Sequence, residues 1–316
     1  MSASNDKLTI LITGCSPGGM GAALAEVFHH AGHRVFATAR NPSKLSPLAE
    51  QGIETLTLDV TSPPSIAAAV SSLTAALPPD QGLDMLINNA AGSYSMPIAD
   101  ISLDAARDLF NLNVWAHIAV TQALLPLLLR RSTTTTSTIS TAATFQPMVV
   151  NHTSVGSVAA LPFQGVYNAS KAALAMLTAT MRMELAPFGI RVVDLKTAGV
   201  KTNIISNNNV NNPAAGNGGR LPEGSIYAPA REVVERAMSQ EELRGVGITA
   251  EQWAKEVAGL LLGKNPPAVI WKGESATVAR VASAMPCNLF EGPIKKMTRM
   301  DRVEEIIRES RANGEA

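Results

Sequence analysis

The sequence predicts an α/β fold: a doubly wound parallel sheet of about seven strands in a single domain. Three observations predict it. Short apolar runs of β type alternate with helical stretches along most of the chain, as right-handed βαβ units require. A glycine-rich segment, Thr13-Gly14-Cys15-Ser16-Pro17-Gly18-Gly19-Met20-Gly21, falls between the first strand and the first helix. The 316 residues are 46% hydrophobic and 16% charged, which suits a large buried core.

The elements follow in order. Residues 8–13 read as the first strand and 22–31 as the helix behind it. Strands are expected at 34–39, at 55–58 before Asp59-Val60, and at 85–87 running into Asn88-Asn89. The alanine-rich stretch 65–77 and the long stretch 104–129 read as helices. A fifth strand is centred on Val149-Val150, a long helix covers 167–185, and strands at 191–195 and 268–271 complete the sheet. Residues 1–7 are polar and expected to be flexible, and 276–316 form a helical extension after the main domain, 8–275.

Two segments interrupt the alternation. Residues 130–143 carry the run Ser132-Thr133-Thr134-Thr135-Thr136-Ser137-Thr138, too poor in apolar side chains to build a core; the segment is expected to project from the surface. Residues 203–224 are rich in Asn and Gly and read either as a mobile lid over a substrate or as a tether.

Lys plus Arg and Asp plus Glu are 26 each, so no charge excess points to nucleic acid. The N-terminus lacks the apolar core of a signal peptide. Apolar runs such as 124–129 are too short to span a bilayer. Residues 294–311 read as a charged helix rather than an anchor. Cys15 and Cys287 cannot make a disulfide framework. A cytoplasmic protein without a transmembrane segment is expected.

The residues that carry chemistry fall into two groups. Glycines after a first strand let a pyrophosphate approach the backbone at a helix N-terminus. The spacing leaves open whether Gly18 or Gly19 is the middle glycine. The second strand ends Thr38-Ala39-Arg40, with no carboxylate for a ribose 2′-hydroxyl and one guanidinium suited to the 2′-phosphate of NADP; Lys44 adds a second cation. The other group is Tyr167 and Lys171, one helical turn apart and so on one face. A cation beside a phenol favours the phenolate and brings its pKa toward the working range.

Taken together, Thr13-Gly14…Gly19-x-Gly21, Asp59-Val60, Asn88-Asn89-Ala90, Asn113-Val114, Ser154, Tyr167-x-x-x-Lys171 and Gly199-Val200-x-Thr202 resemble the short-chain dehydrogenase/reductase family over roughly residues 8–205. Wording such as Pro-Phe-Gln-Gly-Val-Tyr-Asn-Ala-Ser-Lys resembles its fungal NADPH-dependent acyl-dihydroxyacetone-phosphate reductase-like branch, which spans lipid and secondary metabolism. The resemblance implies a Rossmann-type sheet and NADP(H) as cofactor. It implies a small-molecule carbonyl or alcohol substrate, and a homodimer or homotetramer. Tyr167, Lys171, Ser154 and Asn113 would be catalytic. Tyr167 would move the proton, Ser154 would bind the substrate oxygen, with Ser157 a nearby alternative, and Asn113 would hold a helix kink and a proton-relaying water. Ile12, Gly14, Ser16, Gly19, Met20, Gly21, Thr38, Arg40 and Lys44 would surround the cofactor. Asp59 and Val60 would meet its adenine, Asn89 and Ala90 its adenosine ribose, Lys171 its nicotinamide ribose, and Val200 and Thr202 its carboxamide, with Tyr167 also against the cofactor. Three departures stand out: Ala91 and Ala198 replace a usual glycine and proline, and the Thr-rich segment is an insertion. The alternatives are alcohol oxidation in the reverse direction and a non-catalytic NADP sensor on the same fold.

Overall fold

The computed structural model describes residues 7–137, 145–202, 219–241 and 245–314, with the backbone alone for 132–137 and 287–288. The strands are β1 (Thr9–Ile12), β2 (Arg34–Ala39), β3 (Glu54–Thr57), β4 (Met85–Asn88), β5 (Met148–His152), β6 (Arg191–Thr197), the two-residue β7 (Val200–Lys201) and β8 (Ile248–Thr249), and β9 (Val269–Lys272). Seven of them form one sheet in the order β3-β2-β1-β4-β5-β6-β9, and every pairing in it is parallel. β7 and β8 pair separately, a small sheet that the sequence pattern did not announce.

Alternation along the strands sends side chains to opposite faces. Ile10, Ile12, Met85, Ile87, Met148 and Val150 pack on one side with helix α1 (Met20–His30) and the helix Ala250–Leu261. Leu11, Leu86 and Val149 pack on the other side, under the helices Pro63–Ala76 and α5 (Ala116–Ser137). Helices on both faces explain why the central strands are largely apolar. Thr153 and Ser154 follow β5, and the helix Gly165–Leu185 leads to β6.

The long helical stretch expected over 104–129 divides. The helix Leu103–Phe110 passes through a π-helical turn, Asn111–Trp115, before α5 begins. The cause is Asn113: its Oδ1 accepts from Gly92 N at 2.8 Å and its Nδ2 donates to Gly92 O and Ser170 Oγ, each at 3.0 Å. The widened turn lets this buried amide face inward; such bulges are frequent at functional sites. The span Leu103–Arg131 is, among the described residues, the one helix long and apolar enough to cross a membrane. It was not visible as a run of consecutive apolar residues, and half of its most apolar window is buried within the fold.

The first part of the Thr-rich segment is helical. Residues through Ser137 continue α5 as helix, because adding a turn to an existing helix costs far less than nucleating one. Arg131 anchors that helix to the sheet, its Nε 2.5 Å from the Asp84 carboxylate, whose other oxygen accepts from Thr9 N at 2.8 Å. Residues 138–143 of the segment and 203–218 of the proposed lid lie outside the described residues. Beyond them the helix Arg231–Ser239 packs with the C-terminal helix Met300–Ala312 through Val234, Met238 and fully buried Val303.

Gly82 sets the distance between the sheet and α5. A Cβ there would lie 2.3 Å from Leu127 O and 2.7 Å from Arg131 N. Gly82→Ala is expected to lower unfolding free energy by about 1–3 kcal/mol, the usual cost of overpacking. Urea denaturation checks this; an unchanged midpoint would contradict the close approach.

Candidate active site

The carboxyl ends of β1, β2, β4, β5 and β6 open into one cleft of about 380 Å³, where open α/β sheets bind ligands. Its floor is built by side chains that tie strand ends together. Thr13 Oγ1 accepts from Asn89 N at 2.9 Å and Ala90 N at 3.0 Å. Asn89 Nδ2 in turn donates to Thr13 O at 2.8 Å and Gly14 O at 3.0 Å. These bonds hold the glycine loop against the end of β4.

The two candidate middle glycines differ in conformation. Gly18 takes a left-handed φ of 71° and makes the turn, whereas Gly19 is the N-cap of α1 in extended conformation. Gly21 is the position of close approach: a Cβ there would sit 2.5 Å from Asn89 Nδ2 and 2.7 Å from Gly14 O. No side chain caps α1, and its N-terminus faces the cleft through Gly19 and Met20, an arrangement suited to an anionic group.

Of the residues singled out from the sequence, Gly14, Ser16, Gly19, Met20, Arg40, Asp59, Val60, Asn89, Ala90, Ser154, Tyr167, Lys171, Val200 and Thr202 line this cleft. The exposed Arg40 side chain stands at its β2 end and makes no ion pair among the described residues. Asp59 Oδ1 is engaged by Thr61, accepting from its N at 3.0 Å and its Oγ1 at 2.7 Å. Ile12, Gly21, Thr38, Lys44 and Asn113 do not line it. Ile12 and Thr38 are fully buried in the sheet, and Lys44 is exposed in the short helix Pro42–Leu45. Asn113 lies beneath the site, joined to the Tyr167 helix through Ser170.

The second group meets at the other end of the cleft. Ser154 Oγ accepts from Gly156 N at 3.0 Å and lines the cleft together with Tyr167. Lys171 Nζ donates to His152 O at 2.9 Å and lies 6.0 Å from the centre of the Tyr167 ring. Burial pushes the Tyr167 pKa above its ordinary value, against the smaller downward pull of Ser154. That is opposite to the direction expected from a neighbouring cation, because desolvation disfavours the charged phenolate. Burial also brings the Lys171 pKa down to about 8, opposed by the charge of Asp194. Ser157, the alternative to Ser154, is tied instead to Lys196, whose Nζ donates to its Oγ at 2.9 Å.

Several cleft residues escaped the sequence reading: Leu58, Leu112, His152, Thr153 and Thr197. Only the position of His152 and Thr153 just before Ser154 could have drawn attention to them. Ala91 and Ala198, noted as departures, both line the cleft.

The cradle fits a dinucleotide. Gly21 sits where a side chain could not, a helix N-terminus faces the loop, and a guanidinium rather than a carboxylate stands at the end of β2.

Comparisons with known proteins agree with this construction. Residues 8–213 match the family model for short chain dehydrogenases. The chain is 46% identical to a short-chain dehydrogenase/reductase of Pestalotiopsis microspora, covering 96% of this chain and 98% of that one. It is 32% identical to the NADPH-dependent 1-acyldihydroxyacetone phosphate reductase of Schizosaccharomyces pombe, covering 92% and 94%. Among solved structures, a short-chain dehydrogenase from Streptomyces avermitilis superposes with a TM-score of 0.69 at 24% identity, covering 94% of this chain and 98% of that one. Sheet order, cleft and sequence likeness thus converge on one conclusion: the chain belongs to the short-chain dehydrogenase/reductase family and is an oxidoreductase.

Proposed function

We propose that the chain reduces a ketone or aldehyde to an alcohol with NADPH, Tyr167 giving the proton. The coarser statement needs no proposal: it is an NADP(H)-binding oxidoreductase of its family acting on a carbonyl or alcohol group. The observation that carries the finer reading is the convergence of Ser154, Tyr167 and Lys171 in one cleft whose far end holds Arg40.

When bound, NADPH supplies the hydride. Ser154 and Tyr167 present two hydroxyl groups to the carbonyl oxygen, so they stabilise the negative charge that develops there in the transition state. The Tyr167 O–H then gives its proton to that oxygen. Lys171, fixed by the His152 carbonyl, holds a positive charge beside the phenol and eases its passage toward phenolate. Arg40 supplies the cation for a 2′-phosphate. Glycine-loop backbone and the α1 N-terminus hold the pyrophosphate.

Desolvation keeps the Tyr167 phenol protonated at neutral pH, the form that donates to a carbonyl oxygen, while the ratio of reduced to oxidised cofactor sets the net direction. Likeness to the 1-acyldihydroxyacetone phosphate reductase of Schizosaccharomyces pombe supports a substrate in lipid metabolism.

Three outcomes test this reading. Tyr167→Phe is expected to lower kcat by roughly 10²–10⁴-fold, the usual range for a general acid, with NADPH binding retained; a variant keeping a tenth of kcat would contradict the acid role. Arg40→Asp is expected to abolish or reverse a preference for NADPH over NADH, through loss of the guanidinium and gain of a repulsive carboxylate; equal kcat/KM for the two cofactors in the parent would count against it. The third concerns pH. Lys171 is charged below its pKa of about 8 and loses its proton above it, so reductive kcat/KM is expected to hold at neutral pH and fall past about 8. Lys171→Met should remove that limb, and a profile unchanged by it would assign the titration elsewhere.

A further inference from the structure

His152 stands at the end of β5, where its ring is buried among polar partners that no step above uses. Its Nδ1 lies 2.9 Å from Asn89 Oδ1 and its Nε2 lies 2.7 Å from Thr197 Oγ1. The protonation of the ring follows from its neighbours. Asn89 has its Nδ2 against two carbonyls, Thr13 O and Gly14 O; the flipped amide would set oxygen against oxygen. Its Oδ1 therefore faces His152, and only a protonated Nδ1 can donate to it. Burial and the nearby Lys171 ammonium push the imidazole pKa well below its ordinary value, so the ring is neutral and carries one N–H. Nε2 is then a bare acceptor, and the Thr197 hydroxyl donates to it.

These contacts join parts of the cleft that the sheet alone leaves separate. Asn89 grips the glycine loop. Thr197 ends β6 and precedes Ala198, Val200 and Thr202 in the cleft wall. The His152 carbonyl holds Lys171 Nζ at 2.9 Å. Behind the ring, Trp253 stacks at 5.2 Å between centroids with 16° between planes, so the imidazole cannot swing away from either partner. Because Nδ1–H and the Nε2 lone pair are both engaged, His152 is no candidate for a general base.

We propose that His152, fixed as the neutral Nδ1–H tautomer between Asn89 and Thr197, is a positioning residue that couples the glycine-loop wall of the cofactor cleft to the β6 wall. The inference rests on the NADP(H) reading for its binding consequence but not for the tautomer.

Two measurements test it. The first needs no cofactor: imidazole ¹⁵N NMR of the histidine-labelled protein, with five histidines and the His152 signals assigned by their loss in His152→Phe or, should that variant not fold, by their displacement in Thr197→Val. A protonated Nδ1 with a bare Nε2 is expected at neutral pH, and Thr197→Val should move the Nε2 signal while Thr197→Ser leaves it near its parent position. An Nε2–H tautomer or an imidazolium would overturn the proposal. The second is NADPH affinity by fluorescence titration. Thr197→Val should weaken binding by roughly threefold to tenfold, the worth of one hydrogen bond, and Thr197→Ser should restore it. His152→Phe keeps a ring against Trp253, and adding Thr197→Val to it should weaken binding no further, since Thr197 then has no imidazole to act through. Parent-like affinity in Thr197→Val, or an additive double variant, would overturn the coupling. Failure of the parent itself to bind NADPH would strike the cofactor reading, and the tautomer result would then decide this one.

Discussion

The knot of hydrogen bonds among Thr13, Gly14, Asn89 and Ala90 is the constraint on which the site depends. Parallel strands end with unpaired backbone groups, and their loops diverge over opposite faces of the sheet. Here one threonine hydroxyl and one asparagine amide satisfy those groups and clamp the β1 loop to the β4 loop. With the loop fixed, Gly21 can approach the Gly14 carbonyl, and α1 points its N-terminus at the cleft. Relaxing that clamp would leave a glycine-rich turn with no defined anion site.

From that clamp a continuous polar layer runs under the cleft. Asn88 Nδ2 donates to Thr121 Oγ1 and Asn151 Oδ1, each at 2.9 Å, and Asn151 Nδ2 to Thr178 Oγ1 at 3.0 Å. His117 Nε2 meets Ala90 O at 2.9 Å. Strand alternation puts the asparagines on the α5 face of the sheet and His152 on the Trp253 face. Buried polar groups of this kind are costly unless paired, so the layer fixes one geometry for the residues above it. Lys171 is fixed above it through the His152 carbonyl, with the half-buried Tyr167 ring centred 6.0 Å from its Nζ.

Much of this was legible in the sequence. The alternation of β-type and helical runs gave the sheet because its central strands are buried on both faces and read as largely apolar runs. Ser154, Tyr167, Lys171 and Arg40 were legible because their chemistry and spacing are local. What escaped depends on tertiary context. Helix Ala250–Leu261 has an ordinary amphipathic pattern, and nothing in it says that Trp253 stacks on a histidine a hundred residues earlier. The π turn at Asn111–Trp115 arises from a side-chain bond to Gly92, and the Thr-rich stretch is helical through Ser137 because α5 already exists. The direction of the Tyr167 pKa was misjudged for the same reason: burial cannot be read from a Tyr-x-x-x-Lys spacing.

The central claim is that hydride leaves the cofactor for a carbonyl carbon in this cleft while an enzyme hydroxyl supplies the proton to its oxygen. The most direct measurement is turnover of a panel of ketones with NADPH deuterated at the transferable position of the nicotinamide. The account predicts one deuterium on the carbinol carbon of the product and a proton from the enzyme and solvent on its oxygen. A folded protein that binds NADPH yet yields no deuterated alcohol from any ketone in the panel would contradict it.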